Sequence, residues 1–171
     1  MTTRRSSLNR TAKKAATTQA PKVLWRCPKC GHRFVTRNMW HSCSNHTLAE
    51  HFRACDPALR PLFDQYLEFV RSLGPVTVIP QATRISFQGR VRFAGVVVRK
   101  QWLEGGLWLK RRVEDARFTR VAHYGGNDWG YRFRLRQPAD LDATLKTYLC
   151  EAYEVGQQRA DSGQRRGSAG G

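Results

Sequence analysis

Four residues near the N-terminal end of the chain have the types and spacing of a closed metal site. Cys27 and Cys30 are separated by two residues, ten residues follow, and His41 and Cys43 are separated by one. Three thiolates and one imidazole complete a tetrahedron around Zn²⁺ and leave no position for water, which is typical of a structural zinc site. Gly31 allows the backbone to turn so that amides face the sulfurs. We therefore predict structural Zn²⁺ with the ligands Cys27, Cys30, His41 and Cys43.

Other residues leave alternatives open at this site. His46 lies three residues after Cys43 and is an alternative fourth ligand, and His32 is a weaker one. A catalytic zinc would require water in place of one of the four ligands. Binding of a structural metal supplies roughly 10–16 kcal/mol of folding free energy in modules this small. Trp25, Phe34 and Trp40 are the aromatic residues available to pack around the site.

A large excess of basic residues is the second signal. Thirty Lys and Arg residues face 13 Asp and Glu residues, which gives a net charge of +17. Residues 1–24 contain six basic residues and no acid, yet residues 25–155 still carry +9. Such a field favours polyanions, namely RNA, DNA or an anionic membrane surface. The alternative is a solubilising charge without a dedicated partner.

Apolar and arginine side chains alternate in residues 131–136, so Arg132, Arg134 and Arg136 should share one face of a strand, about 7 Å apart. The further basic candidates for contact with nucleic acid are Arg84, Arg92, Lys110, Arg111 and Arg112. Together these side chains predict a basic groove for a phosphate backbone. An ordinary solvated sheet face explains the same pattern. Trp102, Trp108 and Trp129 would stack on bases or belong to the core.

Hydrophobic periodicity predicts an α+β fold, with the helices packed on one face of an antiparallel sheet. Helices are expected at 47–55, from 56 or 61 to 73, and from 140 to about 154, with Thr47 and Asp140 as N-caps. Strands are expected at 76–79, 84–88, 91–99, 101–110, 117–124 and 129–136. Gly105 and Gly106 lie inside one of these segments and predict a bulge or a hairpin turn.

Composition also divides the chain and excludes some classes of protein. We expect a disordered basic tail at 1–24, a zinc module at 25–46, an α+β domain at 47–155 and a flexible tail at 156–171. No run of about 18 apolar residues is present, so no membrane span is predicted. Five cysteines without a secretory signal indicate a reducing, cytoplasmic location. No catalytic residue is assigned, because a turn explains His123 and Asp128 more simply than general-base catalysis does.

Several short motifs together resemble a known family. The first are Trp25-Arg-Cys-Pro-Lys-Cys-Gly31, His41-Ser-Cys43 and Thr47-Leu-Ala-Glu-His-Phe52. The later ones are Gly74-Pro-Val, Thr83-Arg-Ile-Ser-Phe87, Arg92-Phe-Ala-Gly95, Arg99-Lys100, Tyr124-Gly-Gly and Glu151-Ala-Tyr153. Over residues 25–155 the chain is similar to the DUF5655 family, a family without an established activity. Ser44 departs from the glycine found after the second cysteine there. The resemblance implies a fold, and because such domains often accompany nuclease-type domains it weakly favours nucleic acid.

Three functions are consistent with these observations. The first is non-enzymatic binding of nucleic acid, with RNA slightly ahead of DNA, because zinc knuckles with aromatic residues suit single strands. The second is binding of a small anionic ligand, or catalysis, in a pocket between sheet and helix that contains Arg84, Arg92 and His123. The third is a module that binds a protein partner, in which the basic tails serve solubility.

Overall fold

The computed structural model describes residues 23–39, 41, 43 and 46–158. It opens with a small antiparallel hairpin of two strands, β1 (Trp25–Arg26) and β2 (Arg33–Phe34). The expectations for the two tails at 1–22 and 159–171, and those for Trp40 and Ser44, lie outside the described residues. The hairpin precedes the helices and the main sheet, in the predicted order.

The helices are α1 (Leu48–His51), α2 (Leu59–Ser72) and α3 (Ala143–Gly156). Thr47 caps α1 as predicted, since its Oγ1 accepts a hydrogen bond from the Glu50 amide (3.4 Å). None of the helices within the described residues is both long enough and apolar enough to cross a membrane.

The predicted start of α3 at Asp140 is wrong. Asp142 is the N-cap, and its Oδ1 accepts a hydrogen bond from the Leu145 amide (2.8 Å). Asp140 instead ends a short 3₁₀ turn, Pro138–Asp140, and its carboxylate accepts from the Arg136 amide (2.6 Å). Both aspartates therefore act as caps, but of two successive turns.

Six antiparallel strands form the main sheet. They are β3 (Thr77–Pro80), β4 (Ile85–Gln88), β5 (Arg92–Val98), β6 (Leu103–Leu109), β7 (Arg120–His123) and β8 (Trp129–Leu135). Their spatial order is β3-β4-β5-β6-β8-β7, so β8 pairs with β6 and the preceding strand β7 lies at the edge. The predicted segment 117–124 is a strand only over β7.

Both long helices pack on the same face of the sheet, which confirms the α+β class. Tyr66 of α2 contacts Phe87 and Phe133, with ring centroids 5.6 and 6.5 Å apart. Tyr153 of α3 packs edge-on against Phe93 (5.5 Å). Alternate residues of β6 and β8 are buried beneath these helices, namely Leu103, Gly105, Leu107, Leu109, Tyr131, Phe133 and Leu135. The intervening residues face away from the helices, and we call this side the outer face.

The expectation of a bulge or a turn at Gly105 and Gly106 is wrong. Both glycines lie inside the regular strand β6, where Gly105 pairs with Val96 and Phe133, and Gly106 with Gly95 and Arg132. The irregularity in the sheet lies elsewhere, between Phe87 and Gln88 of β4. Gly105 faces inward, and a Cβ there would lie 2.2 Å from the Phe133 ring, so a core side chain occupies its space. Gly106 faces outward, and the nearest atom to a Cβ there is the Tyr131 carbonyl oxygen at 3.6 Å.

We predict opposite effects for alanine at these neighbouring glycines. Gly105→Ala should lower the free energy of unfolding by about 1–3 kcal/mol, because the added methyl group overpacks the core against Phe133. Gly106→Ala should leave it unchanged or raise it by about 0.5–1 kcal/mol, because alanine loses less backbone entropy on folding. Urea unfolding of the two variants measures the difference. Equal destabilisation by both would contradict the assignment of their faces.

Candidate metal centre and basic outer face

Four ligand atoms converge at the predicted metal site. The atoms offered by Cys27, Cys30, His41 and Cys43 all lie within 4.8 Å of one another. Cys27 Sγ and Cys43 Sγ are 3.9 Å apart, and His41 Nε2 lies 3.2 Å from Cys30 Sγ and 3.3 Å from Cys43 Sγ. A tetrahedral zinc ion with ordinary bond lengths would separate two sulfurs by about 3.8 Å and a sulfur from a nitrogen by about 3.6 Å. The four residues are therefore placed to bind a metal ion.

The ring of His41 is held with Nε2 towards the sulfurs. Its Nδ1 lies 2.6 Å from the Met39 carbonyl oxygen, to which a protonated Nδ1 donates. This bond fixes the tautomer that leaves Nε2 free as a ligand, as is common in metal sites. The Phe34 ring packs against the imidazole with centroids 4.3 Å apart, and Trp25 packs on Phe34 (6.0 Å).

The backbone around the first cysteine pair favours thiolate. The Gly31 amide donates to the Cys27 carbonyl (2.9 Å) while Gly31 adopts a φ of +72°, the left-handed conformation that glycine tolerates best. Burial raises the pKa of Cys27, but hydrogen bonds from the Cys30 and Lys29 amides outweigh it and bring this pKa to about 6. The deprotonated sulfur is the form that binds metal.

Neither alternative histidine joins the cluster. His46 Nδ1 pairs with Glu50 Oε2 (3.1 Å) at the start of α1. His32 Nδ1 lies 3.4 Å from Cys30 Sγ, outside the group of four converging ligand atoms. His41 is therefore the fourth candidate ligand.

One buried side chain connects the metal module to the main sheet. Gln88 of β4 is only 4% exposed, and its Nε2 donates to the Arg33 carbonyl oxygen of β2 (2.5 Å). Gln88 pairs with Arg92 of β5, and burial, with a further contribution from the charge of Arg92, lowers the pKa of His32. The module thus packs beside Arg92, at the border of the outer face.

We predict that the protein binds one metal ion per chain and that Cys43→Ser abolishes this binding. Loss of one of the four ligands weakens metal binding, so the metal content should fall towards zero. Thermal unfolding should then begin in residues 25–46. Elemental analysis and thermal melting measure both effects. Cys150→Ser is the matched control, because Cys150 is an exposed thiol of α3 outside the cluster. Full metal content in the Cys43 variant would contradict the site.

A cavity of about 350 Å³ opens on the outer face. Its rim contains four arginines, Arg84, Arg92, Arg120 and Arg132, and one carboxylate, Glu104. Arg84, Arg92 and Arg132 are predicted by the sequence, whereas Arg120 is not. The alternation of residues 120–123 could have placed Arg120 on the same face as Ala122, but only the register places it beside Arg132.

Like charges are held close together in this cavity. Arg120 lies directly opposite Arg132 in the β7–β8 pair, an arrangement that is destabilising for two like charges. Burial, with a further contribution from the charge of Arg84, lowers the pKa of Arg92. Within the described residues, no ion pair forms to Arg84, Arg92 or Arg120.

Among the described residues that line the cavity, Glu104 is the only acid, and it is shared between two arginines. Its Oε1 accepts from Arg132 (2.5 Å) and its Oε2 from Arg99 (2.8 Å). Burial raises the pKa of Glu104, but the bonds and charges of these two arginines outweigh it and keep this pKa below its ordinary value. The carboxylate therefore stays ionised, and the rim keeps a net positive charge.

The remaining predicted basic residues do not converge on the cavity. Lys110 pairs with Asp128 (2.9 Å), Arg111 with Glu151 (2.8 Å) and Arg112 with Glu114 (3.0 Å). The guanidinium groups of Arg134 and Arg136 lie over the Trp102 ring, 4.9 and 5.8 Å from its centroid. These two continue the basic outer face beyond the cavity.

The arginine-lined cavity is not the expected pocket between sheet and helix. Strand residues, with Arg84 and Tyr124, line the cavity, and no residue of α2 or α3 takes part. His123 is not in the lining either, since its Nε2 bonds to the Gly126 carbonyl (2.9 Å) and its ring stacks on Trp129 (4.3 Å). A second cavity, of about 230 Å³, is lined by sheet residues such as Arg92 and Trp108 together with Val155 of α3.

Comparison with known proteins identifies the family of the chain. A family model described as a domain of unknown function (DUF5655) matches residues 48–156. The chain belongs to the DUF5655 family. The match covers α1 to α3 and the whole main sheet of the DUF5655 domain, and the metal module precedes it. No curated protein and no solved structure matches the chain.

Proposed function

We propose that this protein binds nucleic acid, with RNA ahead of DNA, on the outer face of its sheet and without catalysing a reaction. The observation that carries the proposal is the cavity with four arginines and a single carboxylate. Phosphate groups are the counter-charges that such a cluster would accept, and guanidinium groups bind them in a two-pronged geometry. Arg134 of β8 and Arg136, directly after this strand, extend the positive surface.

The metal site has a structural role in this proposal, with zinc as the metal. Three thiolates and one imidazole favour zinc among the common divalent ions, and the module packs beside Arg92. Ordering of residues 25–46 by zinc would therefore stabilise one border of the basic surface. Thiolate ligands require reducing conditions, which supports a cytoplasmic location.

The proposal predicts a steep dependence of affinity on salt. Each phosphate contact lowers the log–log slope of affinity against salt concentration by about 0.7 for single strands and about 0.9 for duplex DNA. Arg84→Gln with Arg92→Gln in the full chain should reduce the slope by about 1.4 and weaken binding of a single-stranded RNA by about tenfold or more. Fluorescence anisotropy across a salt series measures both quantities.

The matched control is Arg53→Gln with Arg71→Gln. Both arginines are exposed, and Arg71 belongs to α2 on the opposite side of the sheet. This variant has the same net charge and the same tails as the test variant, so it separates a local site from general attraction. Equal binding by the two variants would overturn the proposed surface. The net positive charge would then act through the tails or serve solubility.

A further inference from the structure

The cavity on the outer face has a floor without side chains. Gly95 of β5 pairs with Gly106 of β6, and Gly130 of β8 pairs with Trp108, so three outward-facing glycines lie on adjoining strands. Glycine weakens a strand interior, and in a sheet it often marks the close approach of a ligand to the backbone. Each of the three glycines can therefore have either a packing role or a role in ligand binding.

Gly95 and Gly130 have a packing role, and Gly106 does not. A Cβ on Gly95 would lie 3.0 Å from the Ile85 carbonyl oxygen, and one on Gly130 would lie 2.7 Å from the Tyr124 ring. A Cβ on Gly106 would meet nothing closer than 3.6 Å. The fold has room for a side chain at position 106. Glycine at this position leaves the backbone exposed on the floor of the cavity.

Aromatic surface borders this floor. Trp108 and Tyr124 both line the cavity, and the Tyr124 ring lies against Gly130. Tyr124 is 68% exposed, a large amount for an aromatic side chain, so its ring is presented to solvent. Exposed aromatic rings beside arginines are the usual platform for bases of single-stranded nucleic acid.

We propose that the glycine-floored cavity is a subsite for one unpaired nucleotide, with the base over Gly106 between Trp108 and Tyr124 and the phosphate at Arg84 and Arg92. This inference rests on the proposed function and narrows it to single strands. A volume of about 350 Å³ is in the range of roughly 300–1,000 Å³ that is usual for small-ligand sites. A base that is paired and stacked within a duplex has no free face to enter it.

The central test fills the floor without changing charge. Gly106→Leu places a branched side chain in the cavity, and the space around position 106 lets the protein fold. We expect this variant to bind single-stranded RNA about tenfold more weakly, with duplex RNA of equal length unaffected. Gly106→Ala should have a smaller effect, and Gln101→Leu, at an exposed position outside the cavity, should have none. Thermal melting of each variant confirms folding.

Removal of the stacking surface is a second, independent variant. Tyr124→Leu leaves charge unchanged and alters an exposed side chain, so the fold should persist. Loss of stacking with one base should weaken single-strand binding by about tenfold. Unchanged affinity in both Gly106→Leu and Tyr124→Leu would overturn the subsite.

Competition experiments separate a free nucleotide from a nucleotide in a strand. Adenosine 5′-monophosphate should displace the single-stranded RNA at millimolar concentration, whereas ribose 5-phosphate, which lacks a base, should not. Equal displacement by both compounds would overturn the role assigned to the base. If adenosine 5′-monophosphate binds more tightly than the RNA, the ligand is a free nucleotide and the proposal that the site binds a strand is overturned.

The failures of the two proposals are distinguishable. If Arg84→Gln with Arg92→Gln weakens RNA binding but neither Gly106→Leu nor Tyr124→Leu does, the outer face binds nucleic acid and the nucleotide subsite is refuted. If neither variant differs from the Arg53 and Arg71 control, both proposals fail.

Discussion

Burial of every second side chain of β6 and β8 beneath α2 and α3 is the constraint on which the rest of the structure depends. Because side chains of a strand alternate between faces, the burial of Tyr131, Phe133 and Leu135 sends Arg132 and Arg134 to the opposite side. The same alternation turns Gly105 inward and Gly106 outward. The core also offsets the repulsion between Arg120 and Arg132, which the sheet register holds side by side. Packing of the helices on one face thus produces a groove of like charge on the other face. A polyanion would be attracted to this groove.

The sequence predicts those features that depend on local spacing. The ligand set of the metal site is confirmed as a converging cluster because two cysteines three positions apart and a His-x-Cys pair bring their side chains together across one short hairpin. The shared face of Arg132, Arg134 and Arg136 follows from a period of two residues. The helix α2 follows from its apolar stripe, and all six of the predicted strands are present, with some boundaries moved.

Features that depend on pairing between distant segments could not be predicted in this way. The β7 strand lies at the sheet edge while β8 pairs with β6, and this order alone brings Arg120 to Arg132. The sequence cannot distinguish Asp140 from Asp142 as the cap of α3, since both stand in favourable positions and each caps a turn. At Gly105 and Gly106 the local preference of glycine for turns is overridden by regular pairing with both neighbouring strands.

The two edges of the sheet have a consequence for association between chains. Both edge strands, β3 and β7, are only four residues long, and β3 ends at Pro80, which has no amide hydrogen to donate. Another chain that added a strand at either edge would gain few backbone hydrogen bonds. Arg120 at the start of β7 would also repel an incoming copy of the same edge. The DUF5655 sheet is therefore poorly suited to growth by strand addition, and its broad outer face can stay open without its edges becoming a template for aggregation.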